Sequence, residues 1–333
     1  MHLIYALLLS EPWILDADVT VKPLFGHQEG AVLGYNPHKP GRLSHTYHTY
    51  MIANLRLVLD VEVQAGNQNA SKHSSPGLWA LLERIGRTNW PAFIRGDRDW
   101  GTQGNMARAE QEGIDYLFKL RMTKGVKKLD ERLMCGAVWR DAGQEWQGAE
   151  SELRLSGWSR HRRAVMLLRP VNKQLVIVDE GDPEQLRLSF AEVPYEVTVY
   201  EYAVLVTSLD DDVLAIAQHY RDHADCENNF DGLKNHWGWG GFTTRDLKRC
   251  RFMARMTALV YDWWSLFVRL GDPDKHTESI TSRPLLLHAP ARLTRHSGQT
   301  RVTISHAHAD IAWVEDACRT LSAFLTALVE TAE

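Results

Sequence analysis

Four polar residues in the last third of the chain have types that could bind phosphate or a metal ion together. Tyr220, His223, Glu227 and Lys234 lie at offsets of 0, 3, 7 and 14 in the segment YRDHADCENNFDGLK. On a single α-helix these four side chains would fall within a stripe of roughly 60°. A stripe of charge is also typical of a solvated helix face, so a chemical role requires further acidic residues near Glu227.

Two aspartates near the ends of predicted strands are the candidates to join Glu227. Asp18 lies in LDADVT and Asp97 lies in RGDRDW. Side chains at strand ends of an α/β sheet are accessible to a ligand, and carboxylate oxygens are the ligands that Mg²⁺ prefers. Two such ions about 3.5 to 4 Å apart would activate a water or a 3′-hydroxyl and stabilise the leaving oxygen. The sequence therefore suggests a carboxylate site for phosphoryl transfer.

Each aspartate has a neighbour of the same type, and the choice between them stays open. Asp16 and Asp18 lie on the same side of an alternating strand, so only one need be a ligand. Asp97 and Asp99 pose the same choice. An aspartate in a turn also commonly accepts hydrogen bonds from the backbone, which is the structural alternative to a ligand role.

The net charge of -4 argues against DNA binding over the whole surface, but the basic residues are unevenly distributed. Residues 119–163 contain eleven basic and six acidic side chains, and Arg245, Lys248 and Arg249 form a second basic cluster. Both suit contacts to DNA phosphates, and both also suit ordinary solvated surface. Trp237 and Trp239 could stack on an unpaired base or pack in the core.

The composition excludes several classes of protein. A hydrophobic content of 44% over 333 residues indicates a folded chain of one large or two ordinary domains. The four cysteines are dispersed, so we expect a reducing, cytoplasmic setting rather than a disulfide framework. His45 and His48 fall on opposite faces of a predicted strand, so we expect no zinc site there. The apolar opening MHLIYALLLSEPW is too short to span a membrane, and we interpret it as buried structure.

The pattern of elements predicts an α/β fold. WILDADVTV, HTYHTYMIANLRLVL and VLDVEV read as a meander of three strands, and a capped helix with apolar Leu78, Leu81 and Leu82 follows. A strand, a helix and a strand come next, and short alternating runs then predict an antiparallel insertion. After Asp210 the chain is predicted to be helical, apart from a loop-rich stretch from about Gly271 to Gln299 that precedes a closing helix. In one of those helices Phe252, Met256, Leu259, Trp263 and Phe267 are predicted to form a core face.

Three ordered blocks of the sequence resemble the catalytic blocks of DDE insertion-sequence transposases. They are LDADVTVKPLFGHQEGA, then FIRGDRDWG with EQEGIDYLFKLR, then YRDHADCENNFDGLKNHWGWGGFTTRDLKRCR. The resemblance is to the group with a Tyr-x2-Arg-x3-Glu-x6-Lys signature, and it extends from about Trp13 to beyond Pro284.

The resemblance implies an α/β fold with a ribonuclease-H-like mixed sheet and flanking helices, interrupted by an antiparallel β insertion before the catalytic glutamate helix. The expected domains are a first core part (1–123), the β-rich insertion (124–200), a second core part with the catalytic helix (201–270) and a C-terminal helical region (271–333). The implied activity is cut-and-paste transposition with two Mg²⁺ ions, which Mn²⁺ can replace. The implied partners are double-stranded DNA, as element ends and target, and a second copy of the chain, with no membrane. A bacterial, nucleoid-associated location is expected.

Residue roles follow by position within the matching blocks. Asp18, Asp97 and Glu227 would hold the metals, whereas Tyr220 and Lys234 would hold DNA phosphates and strand ends. The signature arginine is replaced by His223, which offers fewer donors and is mostly neutral near pH 7, so weaker holding of DNA ends is expected.

The first catalytic aspartate comes at residue 18, so a region for recognising element ends is expected to be missing. The alternatives to an active transposase are therefore a truncated remnant that at most binds DNA, and a metal-dependent nuclease without strand transfer.

Overall fold

A computed structural model describes residues 9, 11–36, 39–68, 70–171, 199–242, 244–271, 277–287, 291–305 and 310–330. The chain divides into two compact units. We call Met1–Ile14 with Thr88–Ala224 the central unit, and Leu15–Arg87 with Asp225–Glu333 the flanking unit. Most of the apolar opening (1–8) and residues 172–198 of the predicted insertion lie outside the described residues.

The described elements alternate between strand and helix along much of the chain. The strands are β1 (Ile14–Pro23), β2 (Val32–Leu33), β3 (Leu43–Ile52), β4 (Leu57–Ala65), β5 (Phe93–Gly96), β6 (Asp115–Lys119), β7 (Arg140–Asp141), β8 (Gln147–Leu153), β9 (Arg162–Val171), β10 (Val199–Thr207), β11 (Ala291–His296) and β12 (Gln299–Ile304). The helices are α1 (Ala70–His73), α2 (Ser75–Ile85), α3 (Gln103–Glu112), α4 (Lys124–Gly136), α5 (Val213–Asp222), α6 (Ala224–Asn235), α7 (Leu247–Gly271), α8 (Ser279–Leu287) and α9 (Ile311–Glu330).

The flanking unit contains the predicted three-strand meander. β3 lies between β1 and β4 and is antiparallel to both, and β2 pairs with the first residues of β3. Alternation along the strands buries Tyr47, Met51 and Val61 against apolar side chains of α6 and α7. The apolar face predicted for α2 is also confirmed, because Leu78, Leu81 and Leu82 are its buried residues, but the predicted serine cap is wrong, because Ser74 before the helix makes no capping hydrogen bond with its side chain. Asp18 therefore lies on a strand that is paired with β3 along nine positions.

The core face predicted for α7 is wrong. Phe252, Met256 and Trp263 are 62%, 38% and 56% exposed. In its first half the buried side of α7 carries small residues, namely Cys250, Ala254 and Ala258. Small side chains let the helix backbone approach the sheet closely, so the bulkier residues face outward.

The central unit is built on a mixed sheet. β5 and β6 are parallel and joined by α3, as the strand, helix and strand pattern predicts. β10 pairs antiparallel with both β6 and β9, and β9 pairs with β8. β10, which follows the insertion, therefore pairs with β6 of the central unit.

Local signals explain where the helices of the central unit begin. The Thr102 hydroxyl accepts a hydrogen bond from the amide of Asn105, and the Asp212 carboxylate accepts one from the amide of Ala215 at 2.8 Å.

The insertion differs from the prediction at its start, because Lys124–Gly136 is a helix rather than part of a β-rich segment. Its apolar spacing buries Val126, Leu129 and Leu133.

The C-terminal part of the flanking unit is more regular than expected. Gly271–Gln299 was predicted to be rich in loops, but its described residues include α8 and β11. β11 and β12 form a two-stranded antiparallel hairpin, and α9 follows. The closing helix was predicted correctly.

Candidate functional site in two units

Asp18 lies on β1 in the flanking unit and is half-buried, whereas Asp16 on the same strand face is 1% exposed. Asp18 pairs in register with Thr49 of β3, and its Oδ1 accepts a hydrogen bond from the amide of Val19 at 2.6 Å. Because Asp18 is the more accessible of the two aspartates, it is the better placed to meet a ligand.

Lys234 lies near the end of α6, also in the flanking unit, and is half-buried. Burial lowers the pKa of Lys234, and the nearby carboxylates of Asp231 and Asp18 oppose that decrease. Asp18 is therefore close enough to Lys234 to attract its ammonium group. The structure thus brings together one residue from the first matching block and one from the third.

Glu227 lies in the first turn of α6 and is exposed. A carboxylate in the first turn is favoured by the helix dipole. Glu227 and Lys234 are seven residues apart in one helix, so their side chains leave the same side of α6, two turns apart. The neighbouring Asp225 forms an ion pair with Arg56 at 2.7 Å, which holds this end of α6 to the turn after β3.

Asp97 lies in the central unit, directly after β5, and is half-buried. Its Oδ1 accepts a hydrogen bond from the amide of Asp99 at 2.9 Å. Burial raises the pKa of Asp97; the Asp99 amide and the ring of His223 oppose that increase, and the Asp99 carboxylate adds to it. Asp99 itself pairs with Arg121. Asp97 is thus a turn-capping carboxylate that also faces His223.

The continuous helix expected through Tyr220, His223, Glu227 and Lys234 is wrong. α5 ends at Asp222 and α6 begins at Ala224, with His223 as the residue between them. The amide of His223 donates to the carbonyl of Tyr220 at 3.3 Å, which is the tighter i to i+3 pattern. The stripe is therefore divided between two helices, one with Tyr220 in its last turn and the other carrying Glu227 and Lys234.

Tyr220 has a cationic neighbour in the central unit that was not singled out from the sequence. Lys119, the last residue of β6, donates to the Tyr220 hydroxyl at 2.9 Å, and its ammonium also lies 5.3 Å from the centre of the Tyr220 ring. The only signal in the sequence was a lysine at the end of a buried strand, which does not by itself identify its partner.

Both tryptophans of the NHWGWGGF segment pack within the flanking unit. Trp239 is 2% exposed, contacts the ring of Tyr47 edge-on at 5.2 Å and donates to the carbonyl of Ala254 at 3.0 Å. Trp237 packs beside Tyr261, and Arg283 covers its ring at 4.6 Å. These contacts favour core packing over base stacking.

The two basic regions differ in how many of their side chains already form ion pairs with acidic residues. In the 119–163 region Arg160 and Arg162 bind Glu110, and Arg163 binds Glu150 at 3.2 Å. Although burial raises the pKa of Glu110, hydrogen bonds from Arg162, Arg160 and Tyr116 bring it down to about 2. The second cluster is exposed and lies at the start of α7, where the Asp246 carboxylate accepts from the amide of Arg249. Its members are Arg245, Lys248 and Arg249.

His45 and His48 leave opposite faces of β3, as expected, and each makes hydrogen bonds. The Nε2 of His45 lies 2.9 Å from the carbonyl of Glu29. His48 is fully buried between the hydroxyls of Ser74 and Thr46, and burial lowers its pKa to about 4. Both rings therefore have structural partners.

Among the described residues, no group of three His, Cys, Asp or Glu side chains is close enough to hold a metal ion. Asp18 and Glu227 belong to the flanking unit and Asp97 to the central unit. All three are carboxylates, which is the donor chemistry that hard divalent cations require.

A sequence profile of the family described as "Transposase DDE domain" matches residues 9–263. The chain belongs to this family. No curated protein sequence matches the chain. It is similar to a solved piggyBac transposase in a synaptic complex with hairpin DNA, at 11% sequence identity and a TM-score of 0.44. That alignment covers 83% of this chain and 53% of the other, so the chain spans about half the length of that transposase.

Membership of the DDE transposase family agrees with the fold. The predicted α/β class with a mixed sheet and flanking helices is confirmed: antiparallel strands come first in the chain, then a parallel β-α-β unit, then helices. Within the part of the chain that the structure describes, no helix is both long and apolar enough to cross a bilayer.

Proposed function

We propose that this chain is the catalytic part of a DNA transposase of the Tyr-x2-Arg-x3-Glu-x6-Lys group. It cleaves phosphodiester bonds at the ends of its own mobile element and transfers the freed 3′-hydroxyl to target DNA. The observation that carries the proposal is the match of the DDE family to residues 9–263, which includes Asp18, Asp97 and Glu227. The attraction between Asp18 and Lys234 supports it, because it joins an acid to a phosphate-binding cation.

Asp18, Asp97 and Glu227 are the proposed ligands of two Mg²⁺ ions, for which Mn²⁺ would substitute. Ions held by such carboxylates supply Lewis-acid polarisation of the phosphate and a more acidic water. The raised pKa of Asp97 fits this role, because a half-buried carboxylate gains most from a nearby cation. His223 already stabilises the ionised form of Asp97.

Lys234, Tyr220 and His223 are the proposed contacts to the phosphates that flank the cleaved bond. Lys234 provides a cation beside Asp18, so a phosphate bound there is held next to an acidic ligand. Tyr220 presents a hydroxyl whose oxygen accepts from Lys119, and its proton is therefore directed away from Lys119 toward another acceptor. In this arrangement the three side chains orient DNA, and the acids carry the chemistry.

The proposed partner is double-stranded DNA, bound by two copies of the chain in the cytoplasm. Arg245, Lys248 and Arg249 are exposed at the start of α7, where the helix dipole adds to their positive charge. In the 119–163 region the exposed lysines of the first half of α4 are the better candidates, because the arginines after them bind acidic side chains. These lysines are Lys124, Lys127 and Lys128.

The test is nicking of the element-end duplex by purified protein with Mg²⁺ or Mn²⁺. Glu227→Gln should abolish nicking while leaving DNA affinity in EDTA unchanged. Glu83→Gln, at an exposed glutamate of α2 in the same unit, is the matched control and should cleave normally. Cleavage by the Glu227→Gln protein at the wild-type rate would remove Glu227 from the catalytic set.

His223 favours one other function, a remnant that binds DNA without cutting it, because the histidine lacks the permanent charge of arginine. In the same assay a remnant would bind the duplex and leave it intact under every metal condition. Nicking without strand transfer would instead identify a metal-dependent nuclease.

A further inference from the structure

The β11–β12 hairpin lies after the residues that match the DDE family, which end at 263. Its two strands pair over six positions, from Ala291 with Ile304 to His296 with Gln299. Ser297 and Gly298 connect them with φ angles of 48° and 79°. Two consecutive positive φ values are typical of a type I′ turn, which matches the twist of the strands and produces a narrow ribbon.

The hairpin is strongly basic. The segment ARLTRHSGQTRVTI contains three arginines and one histidine and has no acidic residue. Every residue from 291 to 303 is exposed except Thr294, which is half-buried. No ion pair within the hairpin can therefore neutralise these arginines, and their charge is directed to solvent.

The register sorts the side chains into two unlike faces. Ala291, Leu293, Val302 and Ile304 alternate along one face, which also carries Arg295 and Thr300 next to the turn, and Leu293 and Val302 are each 61% exposed. The other face carries arginines, threonines, a histidine and a glutamine; its members are Arg292, Thr294, His296, Gln299, Arg301 and Thr303. Arg292 pairs with Thr303 and Arg301 pairs with Thr294, so the two arginines are diagonal neighbours, about 7–8 Å apart at the backbone.

We infer that the Arg292 and Arg301 face of this hairpin binds duplex DNA through its phosphates. A two-stranded β-ribbon fits the major groove of B-DNA, and arginine, threonine and glutamine are the side chains that commonly contact the backbone. Six residues of strand extend about 20 Å, enough to follow several phosphates. An isolated two-stranded hairpin is marginally stable in water, so a bound polyanion would also order it.

This inference extends the proposed transposase function by adding a DNA contact that the family match does not include. The rival occupant of the hairpin is a second copy of the chain, through the apolar face with Leu293 and Val302. The two occupants require opposite faces of the ribbon. Substitutions confined to the arginine face therefore separate them.

The experiment measures affinity of the full chain for a generic duplex by fluorescence anisotropy, in EDTA and at several KCl concentrations. Arg292→Gln with Arg301→Gln should weaken binding by about tenfold at low salt and reduce the salt slope by about 2, because each phosphate contact contributes about 0.9. The control Arg319→Gln removes an exposed arginine of α9 that pairs with Asp316 at 3.0 Å, and it should change neither quantity. Arg292→Lys with Arg301→Lys should keep the salt slope of the wild type.

Wild-type affinity and an unchanged salt slope in the double variant would overturn the inference while leaving the transposase proposal intact. Absence of DNA binding by the wild-type chain would overturn both. Wild-type DNA affinity of the double variant, together with a lower sedimentation coefficient for Leu293→Ser with Val302→Ser, would assign the hairpin to contact between copies, and would also overturn the inference. Circular dichroism of each variant should match that of the wild type, which would show that the exposed substitutions leave the fold unchanged.

Discussion

The carboxylate of Asp18 attracts the ammonium of Lys234, although the two residues are more than 200 positions apart in the sequence. One is on β1 and the other near the end of α6, both in the flanking unit. Lys234 is also attracted by Asp231, one turn earlier on its own helix. One acid proposed to bind metal and one that is not therefore both oppose the effect of burial on the charge of Lys234.

Separate substitution of Asp18 and Asp231 distinguishes a role in catalysis from a role in keeping Lys234 charged. Asp18→Asn should lower cleavage by about 100-fold or more, since loss of a metal ligand removes several kcal/mol of charge stabilisation. As the pH rises, both Asp18→Asn and Asp231→Asn should lose DNA affinity at a lower pH than the wild type. Each variant removes a carboxylate that raises the pKa of Lys234. The measurement is anisotropy from pH 7 to 10 together with nicking rates. Normal cleavage by Asp18→Asn would exclude Asp18 as a ligand.

Position 223 should respond to restored positive charge. His223→Arg should tighten binding of the element-end duplex roughly tenfold, or ~1.4 kcal/mol, through one charge-assisted phosphate contact. It should also lower the pKa of Asp97, because a permanent cation replaces a ring that already has this effect weakly.

His161→Arg is the control for that change, since it adds the same charge at an exposed position of the central unit. Equal gains from the two variants would mean that the effect is general electrostatic attraction rather than a contact at position 223.

The buried ring of His48 should make the fold sensitive to acid. Its pKa is lowered to about 4, whereas in the unfolded chain it is about 6.5. The unfolded state therefore binds the extra proton between these values, and stability is lost as the pH falls from 6.5 to 4, by about 3 kcal/mol. Urea unfolding of the wild type and of His48→Gln should show this difference. His27→Gln, at an exposed histidine of the same unit, should follow the wild type.

Much of the fold could be predicted because hydrophobic periodicity is local. The alternation around Asp18 and the apolar spacing of Leu78, Leu81 and Leu82 gave the correct element in each case. Position in the sequence also identified Asp18 and Lys234, which the structure brings near one another. These features depend on neighbours within a few residues or on the order of the matching blocks.

What failed depends on tertiary packing. The large apolar residues of α7 predicted a core face, but the side that packs on β4 is the one with Ala254 and Ala258. That buried side also contains Asp262, whose carboxylate accepts from the amide of Val58 at 2.8 Å. Hydrophobic periodicity cannot report how closely a helix approaches a sheet or that a buried acid has a backbone partner. The sequence also cannot report the break between α5 and α6 at His223, because the backbone of His223 remains in the right-handed helical region.

A buried lysine that the sequence gave no reason to single out connects β1 to the turn after α6. Lys22 is 4% exposed and lies on the same face of β1 as Asp18, four residues later. Its ammonium donates to the carbonyl of Phe242 and lies near the rings of Tyr47 and Phe242. Burial lowers the pKa of Lys22 to about 8.

Replacing Lys22 should therefore change how stability depends on alkaline pH. In the unfolded chain the pKa of lysine is about 10.4, so between pH 8 and that value the unfolded state binds the extra proton and stability rises with pH. The free energy of unfolding of the wild type relative to Lys22→Met should increase by up to about 3 kcal/mol over this range. Lys72→Met, at an exposed lysine of the same unit, should give a flat difference in urea titrations. A flat difference for Lys22→Met as well would mean that Lys22 is solvated and does not hold the Phe242 turn.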